Sequence, residues 1–263
     1  MKVSQINKLI NAKKQQIVLL QEKRQSMIRH SLNDSDGNGV ICRIKDICKL
    51  KTGSTPKNNE GINNTGNGYG WVTPSDFSHE YIESIQKFIE TVVVERDNID
   101  VFPIGSILFI GIGGTLGKFA LLRQVAYSNQ QITAIIPKDK GVISEFLLFS
   151  LLDKASYIKN TANYTTLPIV NNAQLGKIEI AIPPLDVQND IVDSIKVNCR
   201  KIDEIIYRLN EELSFFTEYR TRLISDVVTG KLDVRDVVVP EYEVENEVAD
   251  EVEDIKEMEV IDG

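Results

Sequence analysis

The sequence predicts an α+β chain: a mixed, mostly-β domain flanked by long antiparallel coiled-coil helices. Three observations predict it. Residues 6–32 and 202–228 are gapless copies of one helical pattern, offset by 196 positions. The second copy carries a heptad seam sustained over five repeats. Between the copies, residues 40–180 break into short β-type runs separated by turn signals. The expected organisation is an N-terminal helix over 1–33, a domain over 34–185, a long helix over 186–236 and an acidic tail over 237–263.

The helices come first because repetition is the strongest signal in the chain. "INKLINAKKQQIVLLQEKRQSMIRHSL" aligns with "IDEIIYRLNEELSFFTEYRTRLISDVV", so Ile6 matches Ile202, Ile10 matches Ile206, Ile17 matches Leu213, Leu20 matches Phe216 and Arg24 matches Arg220. Upstream of the second copy, Val192, Ile195 and Cys199 extend a three-four spacing that continues through Ile202, Ile206, Leu209, Leu213, Phe216, Arg220, Leu223 and Val227. That period defines a pairing face, and these residues from Ile202 to Leu223 are the candidate helix-pairing and partner-binding set. Pro183-Pro184 blocks the helix upstream and Gly230 is a natural C-cap. A helix from about Asp186 to Thr229 would run roughly 65 Å at 1.5 Å per residue, longer than a globular core needs. Arg24 and Arg220 fall at matching seam positions, where an arginine either fixes register and partner or snorkels to the rim. One helix runs into the middle domain and the other runs out, so the two can lie antiparallel.

In the middle domain, "ETVVVE", "SILFIGI", "KFALL", "ITAIIP" and "IEIAIP" read as strands and "SEFLLFSLLDKASYIKN" as one helix. "TPKNNEGINNTGNGYGW" reads as a mobile Asn/Gly-rich loop. "GIGGTLGKFALL" (111–122) imitates a phosphate-binding loop, but the spacing fails. Counting back from Gly117-Lys118, the first glycine should stand at Ile112, and Phe119 occupies the position of the Mg²⁺-holding hydroxyl. The segment reads instead as a glycine-rich turn joining two strands.

Composition excludes several classes. No stretch approaches the ~18 apolar residues of a membrane span, and the start has no apolar signal-peptide core. Cys42, Cys48 and Cys199 are scattered, without a CxxC pair, as expected for reduced thiols in a cytoplasm. His30 and His79 are the only histidines, which argues against metal or acid–base chemistry built on histidine. The formal net charge of −8 conceals segregation: residues 240–263 hold 11 Asp/Glu and one Lys, whereas residues 1–33 hold seven Lys/Arg and one Glu. A basic segment is a prior for nucleic-acid contact, and a solvated basic helix face is the plain alternative.

The residues then resemble a known family. "TTLPIVNNAQLGKIEIAIPPLDVQNDIVDSI" (165–195) resembles the exit of a target recognition domain into its conserved helix in the specificity subunits of Type I restriction–modification enzymes. The characteristic Pro-Pro-Leu run stands at Pro183-Pro184-Leu185, followed by Gln188, and "EYRTRLISDVVTGKLDVR" (218–235) is similar to the family's helix ending. "KTGSTP" (51–56), "GYGWVTPSDF" (68–77), "PIGSILFIGIGGTLGKFALL" (103–122) and "NQQITAIIP" (129–137) match further landmarks in order. The resemblance covers residues 1 to about 236 and implies a half-length subunit with a single target recognition domain. It implies no catalysis and no cofactor on this chain. The implied partners are double-stranded DNA and methyltransferase subunits that carry S-adenosylmethionine, with restriction subunits joining where the system cleaves DNA. It also implies a homodimer, or pairing with a second half subunit, to supply two recognition domains.

On those landmarks and on side-chain type, Lys51, Lys57, Lys118 and Arg123 are candidate phosphate partners, and Thr55, Asn129, Gln130, Gln131, Thr165 and Thr166 are polar candidates for DNA reading. Three rivals stand beside this reading. One is a coiled-coil protein-interaction scaffold without DNA binding. Another is a specificity subunit of a non-Type-I modification system. The third is an enzyme using Asp76, Glu80 and Glu83, whose irregular spacing reads better as surface. The tail's charge density favours disorder and competition with phosphate for lysines. A chain ending near Val239 is expected to keep its thermal stability and to bind non-specific DNA more tightly at low salt, the difference vanishing as salt screens it. Unfolding of that truncated chain would show the tail to be structural.

Overall fold

The computed structural model describes residues 2–33, 39–138, 140–164 and 167–233. The acidic tail and the pair Thr165 and Thr166 lie outside the described residues. The chain divides into two compact units, residues 19–205 and residues 1–18 with 206–263. Helix α1 (Lys2–Asn33) and helix α7 (Leu185–Val228) each contribute to both. The expected α+β architecture is present, and α7 starts and stops one residue earlier than its sequence signals indicate. Gly230, at φ +71°, terminates it: the Gly230 N–H donates to the Val227 carbonyl (3.1 Å) and the Leu232 N–H to that of Asp226 (3.0 Å).

Within residues 19–205, the strands are β1 (Val40–Arg43), β2 (Cys48–Thr52), β3 (Ile62–Asn63), β4 (Tyr69–Val72), β5 (Tyr81–Ile82), β6 (Lys87–Ile89), β7 (Ile107–Ile110), β8 (Phe119–Leu122), β9 (Ala126–Ser128), β10 (Ile132–Pro137), β11 (Asn163–Tyr164), β12 (Pro168–Ile169) and β13 (Glu179–Ile182). The helices between them are α2 (Ile44–Ile47), α3 (Thr91–Asp97), α4 (Ser144–Asp153), α5 (Ala155–Asn160) and α6 (Asn172–Leu175). A five-stranded sheet runs in the order β2-β10-β7-β8-β5 and a four-stranded sheet in the order β3-β6-β4-β9. Two-stranded pairs β1-β13 and β11-β12 complete the set. Both larger sheets are mixed: β5 runs parallel to β8 and β4 parallel to β9, while the other pairings are antiparallel.

β7 and β8 are apolar on every residue, and β10 on every residue but Thr133, because both faces of the five-stranded sheet are covered. Ile107, Phe109, Phe119, Leu121 and Ile135 belong to a core shared with α4, with Ile28 of α1 and with Ile191, Val192, Ile195 and Cys199 of α7. Leu108, Ile110, Ala120, Leu122, Ile132 and Ala134 face the other way, into a core with Val72, Phe77, Ile82 and Phe102. Alternate residues of one strand thus enter two different cores.

Three expectations are corrected here. "ETVVVE" is not a strand: its valines lie in α3, where Val93 and Val94 are buried with Trp71, Ile89, Ile99 and Tyr127 while Val92 points to solvent. Docking of two adjacent valines into that cluster overrides the strand preference of a β-branched run. The helix over 144–160 is two helices joined at Lys154, whose ψ of 2° breaks the helical repeat. The Asn/Gly-rich loop holds strand β3, paired with β6, and a turn built by Asn63, which accepts from the Thr65 N–H (3.0 Å) and donates to the Asn67 carbonyl (3.2 Å).

Two polar contacts fix the helices to this unit. Gln188 is fully buried in the first turn of α7. Its amide donates to the carbonyls of Gly141 (2.9 Å) and Pro183 (2.8 Å) and accepts from the Ile143 N–H (2.8 Å). Arg24 of α1 grips Glu80 through both terminal nitrogens (2.6 and 2.7 Å) and donates through Nε to Asp203 of α7 (2.6 Å). Burial works against the Arg24 charge, but Glu80 and then Asp203 outweigh it, and the guanidinium holds its proton more tightly than usual. Arg24 therefore does not snorkel to the rim.

In the smaller unit, α1 and α7 pair antiparallel. Asn7 accepts from Arg220 Nη1 (3.1 Å), and Lys13 forms an ion pair with Glu212, so the partner number falls as the α1 number rises. Ile6, Ile10 and Ile17 are buried on α1. Along α7, Ile206, Leu209, Leu213, Phe216, Arg220 and Leu223 are the half-buried row, with mostly exposed residues between them.

Replacing Gln188 by leucine keeps the volume, strands the Ile143 N–H and takes one donor from each of two carbonyls. A loss of about 2 kcal/mol in stability is expected from denaturant unfolding. A loss below the error of the measurement would show that these three bonds contribute nothing net.

Candidate nucleic-acid interface

The pairing of the five-stranded sheet sets which loops meet. β10 starts at Ile132 opposite Ile110, where β7 ends, and Thr133 lies opposite Thr52, where β2 ends. The loops 53–57, 111–118 and 129–131 therefore leave the sheet at one end. Backbone bonds hold them together there. Gly53 N–H donates to the Ile132 carbonyl (2.9 Å), Ser54 N–H to that of Ser128 (3.0 Å) and Gly111 N–H to that of Gln131 (2.8 Å). The segment 168–170 joins the same end, since Val170 N–H donates to the Gly111 carbonyl (2.9 Å) and Gly113 N–H to that of Pro168 (3.2 Å). A Cβ on Gly53 would stand 2.3 Å from the carbonyl oxygens of Ser128 and Asn129, so only glycine lets the two loops approach.

The turn of 111–118 is a hairpin connection between antiparallel β7 and β8. Gly113 (φ +102°) and Gly117 (φ +95°) take the positive backbone angles it requires. The loop closes where Gly117 N–H donates to the Ile110 carbonyl (3.0 Å) and Ile110 N–H to that of Lys118 (3.1 Å). Its glycines answer to turn geometry, and the nucleotide-like spelling is incidental.

The polar side chains at this end bond largely to one another. Thr55 Oγ1 donates to Gln130 Oε1. Asn129 and Gln131 exchange a side-chain amide contact (3.1 Å) and a backbone N–H to Oδ1 bond (3.1 Å). Thr52, Thr133 and Asn172 form a closed group at 2.9–3.1 Å. Lys118 lies beside a hollow that it lines with Thr115, Ser156 and Lys159. The sequence reading missed Thr52, Thr133, Asn172 and Lys159: Asn172 stands about 120 residues from Thr52, and only the fold joins them. The one available signal was "VNNAQL", whose Asn171 and Gln174 form the capping box of α6.

Not all the candidates are brought together. Arg123 follows β8 at its far end, roughly 16 Å from Lys118 at about 3.3 Å per residue. It donates to Glu145 of α4 (2.7 Å) and lies over the Tyr81 ring at 4.8 Å. Lys196 of α7 holds the other Glu145 oxygen (2.8 Å). Burial works against the Glu145 charge, but Lys196 and Arg123 outweigh it and hold the carboxyl below the usual carboxylate range. Burial, with Glu145 and Glu80 next, pushes the Tyr81 phenol up to about 12. Lys51 forms an ion pair with Asp100, and Lys57 sits exposed in the short turn 57–59.

The carboxylate trio does not assemble. Asp76 accepts from the Thr73 N–H (2.7 Å) and hydroxyl (2.8 Å), Glu80 is taken by Arg24, and Glu83 is exposed. Among the described residues no group of His, Cys, Asp and Glu is placed to hold a metal, and no helix is long and apolar enough to cross a membrane.

Comparison with known proteins bears on what these loops do. The family model of the Type I restriction modification DNA specificity domain matches residues 39–214. The specificity subunit of the Escherichia coli type I restriction enzyme EcoR124I/EcoR124II is 24% identical over 185 residues, covering 68% of this chain and 44% of that one. A solved chain from a study of complex assembly and conformational transition in the type I R-M system superposes with a TM-score of 0.57 at 14% identity, over 88% of this chain and 60% of that one. The HsdS subunit of Thermoanaerobacter tengcongensis gives 0.54 at 15% identity (87% and 57%). The S subunit of M. genitalium gives 0.56 at 14% identity (84% and 57%). The chain thus spans about half the length of the relatives it matches.

The Glu145 carboxyl is depressed in the folded state, so its stabilisation is complete above the ordinary carboxylate pKa and is lost as pH falls through the folded value. Arg123→Ala is expected to flatten the decline of melting temperature between about pH 5 and pH 3. An unchanged acid limb would show that Arg123 does not hold Glu145 ionised.

Proposed function

Because the chain belongs to the family of Type I restriction modification DNA specificity domains, we propose that it reads one half-site of duplex DNA and scaffolds methyltransferase subunits without performing chemistry itself. One observation carries the DNA reading: the loops 53–57, 111–118 and 129–131 and the segment 168–172 converge at one end of the five-stranded sheet and present amides, hydroxyls and Lys118 together. Amides and hydroxyls read base edges in the major groove, and lysines position the phosphates.

In this proposal Lys118 and Lys57 meet phosphate, and Thr55, Asn129, Gln130 and Gln131 meet bases or support those that do. Thr165 and Thr166 keep the reading role that the family landmark gives them. Lys51 reaches DNA only by leaving Asp100, and Arg123 only by leaving Glu145. The seam from Ile202 to Leu223 builds the helical support for methyltransferase subunits, which bring S-adenosylmethionine. Restriction subunits join the assembly where DNA is cleaved. A single half-site discriminates by only about 1–3 kcal/mol per base pair, so a working assembly holds two recognition domains. α1 and α7 of one chain already pair with each other, which favours methyltransferase subunits as the bridge between two halves. Three free cysteines and a DNA substrate fit the cytoplasm.

Binding of duplex DNA should weaken steeply with salt, and Lys118→Ala should reduce the slope of log affinity against log salt by about one. Fluorescence anisotropy across a salt series measures both. An unchanged slope would remove Lys118 from the interface, and no salt-dependent binding at all would leave a protein scaffold as the better reading.

A further inference from the structure

The two helices that pair are copies of each other, and their contacts show it. In the larger unit Arg24 donates to Asp203; in the smaller unit Arg220 donates to Asn7. Arg220 is the residue 196 positions after Arg24, and Asp203 is 196 positions after Asn7. The two contacts are one interaction with the helices exchanged. Identical helices related by a two-fold axis generate that reciprocity, because residue i meets j and j meets i.

We propose that α1 stands in for the α7 helix of a second copy of this chain, and that the Lys13–Glu212 ion pair selects the intrachain pairing over an isologous pairing of two α7 helices. Much of the seam favours the pairing of two α7 helices. Each Arg220 would face a charged Asp203 in place of the neutral Asn7, once Asp203 is released from Arg24. The seam would gain Leu209 where α1 has Lys13, and Phe216 where α1 has Leu20. A lysine among apolar seam positions costs pairing strength and serves to choose the partner.

Glu212 tips the choice. The midpoint of 203 and 220 falls between residues 211 and 212, so in an isologous pair the axis would pass between Glu211 and Glu212, and Glu212 of one copy would face Glu211 of the other. Glu212 flanks the seam: its neighbour Leu213 is a seam residue and its own side chain is half exposed (53%). Like charges would meet where the copies meet. Within the chain the same carboxylate meets Lys13, whose ammonium also lies 5.8 Å from the centre of the Phe216 ring. In α1 the counterpart of Glu212 is the neutral Gln16. α1 thus carries three changes, Lys13 for Leu209, Gln15 for Glu211 and Gln16 for Glu212, that make it compatible with Glu212. An attractive pair for the right partner and a repulsive one for the wrong partner together give specificity.

Sedimentation equilibrium of the full chain tests this. The wild type is expected to be monomeric in moderate salt. Glu212→Gln removes both the attraction and the repulsion and should tighten self-association about tenfold. Lys13→Glu sets two carboxylates against each other within the chain, leaves the charges of α7 untouched and should also promote self-association. Lys13→Leu improves the intrachain seam, retains Glu212 and should stay monomeric. High salt should move the wild type towards the dimer and leave Glu212→Gln unmoved. The proposal is overturned if the wild type is a dimer whose affinity Glu212→Gln does not alter. It is overturned equally if Glu212→Gln and Lys13→Glu, both with wild-type helix content by circular dichroism, self-associate no better than the wild type.

Discussion

The arrangement of residues 19–205 turns on one guanidinium. Arg24 is the point at which α1, the loop before β5 and α7 meet, through Glu80 on one side and Asp203 on the other. Arg24 and Glu80 are largely shielded while Asp203 is exposed, so removing either of the first two leaves the other desolvated without compensation, and that pair is more costly to break than to replace whole. Gln188 performs the neutral counterpart of this task where α7 leaves the domain. The first turn of α7 is thereby tied to the 141–143 loop and the middle of α1 to the sheet. Apolar packing by Ile28, Ile191, Val192, Ile195 and Cys199 supplies the bulk of the contact, but apolar packing is non-directional. The two polar groups set the register.

How much of this was legible in the sequence depended on how local each cause was. The seam from Ile202 to Leu223, the Pro183-Pro184 stop and the Gly230 cap all act within a few residues, and each appears in the structure where its chemistry puts it. The apolar runs of β7, β8 and β10 were legible as strands, although the reason for their apolarity, unbroken in β7 and β8, is tertiary: two cores on opposite faces. The valines of α3 misled because β-branched residues prefer strands only until a neighbouring cluster rewards a helix. The seam position of Arg24 was legible, but its partner Glu80 lies 56 residues away across the sheet, and no periodicity reports such a distance. The candidate interface was legible as family landmarks; its convergence was not, because it follows from strand register.

That convergence imposes a constraint of its own. Among the described residues, every buried side-chain nitrogen and oxygen has a partner. At the proposed reading end Thr52, Thr133 and Asn172 bond to one another, Thr133 buried and the other two exposed, and would meet a base only by giving up a bond already made. They serve better as a rigid floor. Gln130 differs. Its Oε1 accepts from Thr55, which orients the amide, and an amide carries two donors besides. A group with one end fixed and one end unspent suits direct readout, since the cost of ordering it has been met in the free protein. Lys118 differs again, standing beside its hollow as a charge on a long stem, and such a group suits phosphate, where position tolerates slack. Within the proposed interface, then, hydrogen-bond capacity separates the residues more sharply than residue type does: the floor group bonds within itself, and the proposal gives base reading to Gln130 and phosphate positioning to Lys118.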